Sequence, residues 1–132
     1  MLLIDTNVLL DVLQDDPQWA DWSSTQLRAQ AKIHELAINP VVYAEISLSY
    51  TSIEALDAVV SRMELTLSEI PRPALFLAGK AFAQYRKRGG SKAQVQPDFF
   101  IGAHAAVQGW PLLTRDASRF RTYFPGLEVI AP

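Results

Sequence analysis

Residues 2–13 read LLIDTNVLLDVL, and the fold turns on them. Leu2-Leu3-Ile4 is wholly apolar, the pattern of a short strand buried on both faces of a parallel sheet. Asp5 ends it, and Val8, Leu9, Val12 and Leu13 then repeat at helical spacing. The same alternation recurs down the chain. Asp16-Pro17 predicts a helix start, running to about Lys32 and burying Ala20, Ser24, Leu27 and Ala31. Leu36-Ala37-Ile38 predicts a second strand, closed by another cap-and-proline pair, Asn39-Pro40, whose helix carries Val41, Val42, Ile46 and Leu48. Ile53 to Met63 predicts a further helix, Leu65-Thr66-Leu67 a third strand, and Pro71 to Arg88 a helix stopped by Gly89-Gly90. Pro97 opens PDFFIGAHAAVQ, whose Gly102, Ala103, Ala105 and Ala106 permit close packing and which Trp110-Pro111 breaks. Leu112-Leu113-Thr114 and Leu127-Glu128-Val129-Ile130 predict strands four and five. Short apolar strands alternating with helices imply an α/β fold with a parallel sheet covered on both faces. Right-handed crossovers then restrict its topology.

The 132 residues suit one domain, 1–132, with no repeats, low-complexity segment or linker. With no cysteine, disulfides and thiolate metal sites are excluded. The start MLLIDTN lacks the basic beginning and apolar centre of a signal peptide. No apolar run approaches the roughly 20 residues of a membrane span. Together these predict a cytoplasmic protein. The net charge of −2 hides an asymmetry: residues 1–71 hold 11 of the 14 acids and 3 of the 12 bases. The second half is therefore basic, concentrated in Arg86, Lys87, Arg88 and Lys92, then Arg115, Arg119 and Arg121. Any one of these suits a solvated surface, but the split as a whole suggests an anionic partner.

Four acids stand out. Singly, Asp5, Asp98 and Asp116 each have a structural reading, as caps or first-turn acids of the helices that follow them. Glu45 is different, because Val41, Val42 and Leu48 lie four before, three before and three after it. That spacing sets a carboxylate on an apolar stripe, where an unpaired charge is costly and calls for a cation or a metal. Topology joins the four. In a parallel α/β sheet, ligands bind beyond the carboxyl ends of the strands. Asp5 follows strand one, Glu45 lies early in the helix after strand two, and Asp116 follows strand four. Asp98 reaches the same end if the helix over 71–88 runs down and residues 89–96 climb back, a span of roughly 25 Å when extended.

Four carboxylates in one cleft repel, and some take up protons unless cations compensate them. All-oxygen ligation favours a hard divalent ion, Mg²⁺ or Mn²⁺, singly or as a pair. Such ions orient a phosphate, activate water and stabilise the leaving oxygen, while the basic half holds the phosphate backbone. The residues point to phosphodiester hydrolysis.

The segments LLIDTNVLLDVL, NPVVYAEIS, QPDFFIGAHA and LLTRDASRFRTYFPGLEVI together resemble a PIN-domain protein, and within that family a VapC-type toxin of bacterial toxin–antitoxin pairs. The resemblance runs the whole length in the right order. It implies a three-layer α/β/α sandwich with a five-stranded parallel sheet and an endoribonuclease that uses Mg²⁺, with Mn²⁺ as substitute. By position, Asp5, Glu45, Asp98 and Asp116 are the catalytic and metal-binding quartet. Thr6 and Asn7 orient the carboxylates, and Thr114 matches a hydroxyl near the last acid. Where some relatives carry another acid shortly after the fourth, this chain has Ser118 nearby, which implies a weaker second metal site. The resemblance also implies a homodimer inhibited by a small cognate antitoxin. For RNA contact the candidates are Arg86, Lys87, Arg88, Lys92 and Arg115, the last equally suited to a surface ion pair.

His104 lies six residues past Asp98, off its helical face, and reads as a packed core histidine; His34 reads as part of a surface connection. Trp19 and Trp22 sit on one side of their helix as partial core or as a groove for an antitoxin helix. Two rival classes remain. A phosphatase with an aspartyl nucleophile usually needs a second Asp two positions after the first, where this chain has Asn7. A non-catalytic module sharing the fold fits less well with all four acids present.

Overall fold

The computed structural model describes residues 1–132. Its elements are β1 (Leu2–Ile4), α1 (Thr6–Leu13), α2 (Ala20–Ala31), β2 (Leu36–Ile38), α3 (Pro40–Ser47) and α4 (Ile53–Arg62), then β3 (Thr66–Leu67), α5 (Arg72–Lys87), α6 (Pro97–Gln108), β4 (Leu112–Leu113), α7 (Ser118–Tyr123) and β5 (Val129–Ile130). The five strands form one parallel sheet in the order β3-β2-β1-β4-β5. β1 lies at the centre, with Leu2 opposite Leu36 and Leu3 opposite Leu112. Its three residues are fully buried, which is why no polar residue interrupts them. With the helices packed about it, the sheet is the α/β sandwich that the alternation predicts.

The strand order locates the site. From β1 the chain moves outward through β2 to β3, then crosses back by α5 and α6 to β4 on the other side of β1. The two directions of winding part between β1 and β4, opening a crevice beyond their carboxyl ends. Asp5 and Thr114 are the residues that follow these two strands, and Asp5 N donates to Leu113 O at 2.9 Å. The core, a cluster of 24 buried residues, runs from β1 and β2 through Ala74, Ala78 and Ala81 of α5 to Phe99 and Ile101 of α6.

Caps explain most of the boundaries. Asp5 Oδ1 accepts from Thr6 N at 2.8 Å, and Asn39 Oδ1 accepts from Val42 N at 2.9 Å. Ser52 caps α4 through Ala55 N. Gly89, at φ 86°, ends α5 in a left-handed turn that favours glycine. Gly102 has a steric role: a Cβ there would meet the Phe124 ring at 2.5 Å, so its absence lets α6 press against α7 and the residue that follows it.

Several expectations need correction. Asp16 does not start a helix at Pro17. Its Oδ1 accepts from the amides of Gln18 and Trp19, both at 2.9 Å, closing a turn that leads into α2 at Ala20. In α2 the buried positions are Ser23 and Leu27; Ala20 and Ser24 are half-buried and Ala31 is exposed. Ser23 faces inward, where its Oγ donates to the buried Asp11 at 2.8 Å. Leu48 falls just beyond α3 and is 89% exposed, so it is no part of a buried stripe. Gly109, at φ 69°, ends α6 one residue ahead of Trp110-Pro111. β3, β4 and β5 have two residues each, shorter than the apolar runs suggest. No helix is long and apolar enough to cross a membrane.

Candidate active site

Asp5 is 5% exposed at the carboxyl end of β1. Besides the cap to Thr6 N, its Oδ2 accepts the Thr114 hydroxyl at 2.7 Å. The Thr114 oxygen in turn accepts from Asp116 N at 3.1 Å, and Asn7 Nδ2 approaches it at 3.5 Å. Asn7 Oδ1 accepts from Arg115 N at 3.2 Å. The residues beginning α1 and the loop after β4 are thus bonded to each other. From the other side, Thr6 Oγ1 donates to Glu45 Oε1 at 2.6 Å, bringing α3 to the same crevice.

The remaining acids stand at the rim. Asp98 occupies the first turn of α6, and its Oδ2 lies 3.6 Å from Arg119 Nη1. Asp116 is exposed, and its Oδ1 accepts from Ser118 N and Oγ at 3.4 and 3.3 Å, bracing the entry to α7. Asp98 feels the charges of both Glu45 and Asp116, and Asp5 those of Asp98 and Glu45, so Asp98 links the four. Burial pushes the Asp5 carboxyl up to about 7; the Thr114 hydrogen bond opposes the rise, and the charges of Asp98 and Glu45 add to it. Asp98 is also raised, chiefly by desolvation, with Arg119 pulling it down and Glu45 and Asp116 pushing it up. The crevice gathers the acids without closing them: no three stand in a ready-made metal cage. Arg119 is the one base paired with any of the four.

The basic candidates divide. Arg86 Nη1 donates to the carbonyls of Gly90 and Lys92, at 3.3 and 2.9 Å, and shapes the turn after α5. Arg88 lies over the Tyr123 ring at 5.4 Å, and Lys87 and Lys92 are exposed. Arg115 is taken up by Asp11 instead of by the four acids: Nε and Nη2 bond both oxygens of Asp11, at 2.9 and 3.1 Å, and its guanidinium covers Trp19. Trp19 and Trp22 are half-buried and meet edge to face. His104 is fully buried against Trp110, its pKa lowered by desolvation. Asn39 Oδ1 is engaged by Val42 N, so Asn39 Nδ2 donates to His104 Nδ1 at 3.2 Å, which assigns the ring proton to Nε2. His104 is the brace of the cap that starts α3, six residues ahead of Glu45.

Sequence reasoning passed over two residues. Asp11 interrupts an apolar run, the mark of a buried charge that needs a partner, and here it has Arg115 and Ser23. Arg119, read from the sequence only as one of the second half's bases, lies in the first turn of α7 and reaches Asp98.

A PIN domain family model matches residues 2–124. Among solved structures, VapBC2 from Rickettsia felis, bound to a DNA fragment from its promoter, superposes with a TM-score of 0.75 at 19% identity, covering 98% of this chain and 97% of that one. VapBC-1 from nontypeable Haemophilus influenzae gives 0.74 at 16%, covering 98% and 96%. A toxin–antitoxin complex from Klebsiella pneumoniae gives 0.65 at 19%, again covering 98% and 96%. At these identities the likeness speaks for the fold. No curated protein matches the sequence. The central parallel sheet, the crevice between β1 and β4 and the match over residues 2–124 agree: the chain belongs to the PIN domain family.

Proposed function

We propose that the chain is the toxin of a toxin–antitoxin pair, a divalent-metal-dependent endoribonuclease acting at Asp5, Glu45, Asp98 and Asp116. The observation that carries the reading is Asp5: a carboxylate 5% exposed, with no basic side chain paired to it, fixed by the Thr114 hydroxyl next to Thr6, which holds Glu45. A buried carboxylate with no basic partner must be compensated by a proton or by a cation, and its raised pKa marks how costly the bare charge is there. The donors are oxygens throughout, which fits Mg²⁺, with Mn²⁺ as substitute. When bound, such an ion supplies the charge that orients a phosphodiester and acidifies the attacking water.

The chain's own residues prepare the site. Thr114 fixes Asp5 and, through the Asp116 amide, the loop that carries Asp116. Thr6 holds Glu45, and Asn7 ties Arg115 N into the same frame. Outer contacts of this kind keep ligand carboxylates in one rotamer. The exposed Lys87 and Lys92 suit a polyanion. The antitoxin is supported by the structural neighbours, which are VapBC complexes. Dimerisation, residence in the cytoplasm and a single domain over 1–132 belong to the same reading.

Induced expression in a bacterial host tests it. The wild type arrests growth and leaves discrete RNA fragments, whereas Asp98→Asn, expressed to the same level, does neither. Arrest with intact RNA, or equal arrest by both proteins, refutes the reading.

A further inference from the structure

We propose that Arg119, resting on Asp98 in the RNA-free protein, is a substrate-contacting residue of this site that grips the phosphodiester once Asp98 is engaged elsewhere. The inference rests on the nuclease reading and extends it to a residue outside the acidic quartet. The chain has two salt bridges, Arg115–Asp11 and Arg119–Asp98, and only the second touches an acid of the crevice.

The two pairs differ in build. Arg115 meets Asp11 through two nitrogens, and Asp11 is almost wholly enclosed. Arg119 meets Asp98 through Nη1 alone at 3.6 Å, with side chains 31% and 42% exposed. That distance is beyond a good charge-assisted hydrogen bond, so the contact is loose and readily exchanged. What holds Arg119 is a platform of rings: its guanidinium lies 5.2 Å from the Tyr85 centroid and 5.3 Å from that of Phe99. Phe99 is fully buried, and Tyr85 is fixed by the Lys92 amide bonding to its hydroxyl at 3.2 Å. Cation–π contact does not depend on Asp98. When Asp98 turns to a divalent cation, the rings keep the guanidinium at the rim with its donors released. A planar fork there suits a phosphate oxygen better than a mobile ammonium does. The four acids bring only negative charge to a substrate that is itself an anion, and Arg119 is the one base paired with any of them.

The test compares wild type, Arg119→Ala and Arg119→Lys, each confirmed as folded by circular dichroism. Mn²⁺ binding to the RNA-free proteins is titrated by calorimetry, and cleavage of a mixed RNA pool is followed with Mn²⁺ present. The two readouts move in opposite directions. Mn²⁺ binds Arg119→Ala roughly two- to five-fold more tightly, because a competing ion pair is gone. Cleavage falls by about 10²-fold, the scale of losing one charge-stabilising donor, with partial recovery in Arg119→Lys. Mn²⁺ binding that weakens in step with cleavage would make Arg119 a prop for α6 and α7 and overturn the proposal. Cleavage within about two-fold of wild type would overturn it too. If wild type binds Mn²⁺ yet cleaves nothing, the nuclease reading itself fails, and this inference with it.

Discussion

The Thr114 hydroxyl donates to Asp5 Oδ2 at 2.7 Å, across a separation of 109 residues, and so joins the ends of β1 and β4. The same oxygen accepts from Asp116 N. One side chain therefore orients the carboxylate of the first acid and the backbone of the last, at the point where the sheet's winding reverses.

Asp5 makes stability depend on pH in an unusual direction. In the unfolded chain its carboxyl ionises near 3.8, and in the folded metal-free protein near 7. Between those values the folded state binds more protons, so Asp5's contribution is full below about pH 4 and is lost as pH rises through 7. The full swing is of order 4 kcal/mol, and Asp98 shifts in the same direction. Urea denaturation in chelator is expected to show wild type weakening from pH 5 to 8 and Asp5→Asn weakening much less. Adding Mn²⁺ at pH 8 stabilises wild type and leaves Asp5→Asn nearly unchanged.

Arg115→Ala leaves Asp11 buried with Ser23 as its one remaining side-chain partner. A broken buried pair costs roughly 3–5 kcal/mol, but Arg115 is a third exposed and water reaches its place. A loss of about 2–3 kcal/mol is expected by denaturant titration. Asp11→Ala in the same chain recovers part of it, because the stranded charge is gone. No recovery in the double variant contradicts the account.

Gly102→Ala drives a Cβ into the Phe124 ring, at 2.5 Å, and against Phe120 at 3.0 Å. Overpacking of this kind costs about 1–3 kcal/mol and displaces α7, which carries Arg119. A lowered Tm together with reduced cleavage is the expected result, and an unchanged Tm would show that Phe124 swings aside freely.

Thr6→Val removes the donor that holds Glu45 Oε1 at 2.6 Å. Losing a partner of this type costs about 10- to 100-fold in metal affinity or activity, with little change in Tm because Glu45 can turn to water. Cleavage kinetics over a range of Mn²⁺ concentrations check it; the same Mn²⁺ dependence and maximal rate as wild type would leave Thr6 no part in positioning Glu45.

Much of the fold is legible in the sequence because its rules are local. Buried central strands must be apolar, and Asn39-Pro40, Gly89 and Pro97 mark helix ends by backbone chemistry alone. The crevice follows from strand order, which brings Asp5 and Thr114 together. What local pattern misses is tertiary. Leu27 faces inward as the spacing predicts, but Ser23 joins it in place of Ala20, Ser24 and Ala31, because Asp11 lies across from Ser23 on another helix. The apolar stripe that marks Glu45 in the sequence includes Leu48, yet Leu48 is exposed; the bond that places Glu45 comes from Thr6, 39 residues earlier. Arg119 and Arg115 look alike in sequence, and only their surroundings divide them, a ring platform beside Asp98 for one and a buried acid for the other.

The central claim is that the acidic crevice hydrolyses RNA with a divalent cation, and cleavage by the purified, antitoxin-free protein tests it most directly. Wild type and Asp98→Asn, matched for folding, are incubated with a mixed RNA pool in Mg²⁺, in Mn²⁺ and in chelator. The account predicts cleavage by wild type with either ion, none in chelator, and none by Asp98→Asn under any condition. Cleavage that survives chelator, or that Asp98→Asn performs equally well, would contradict it.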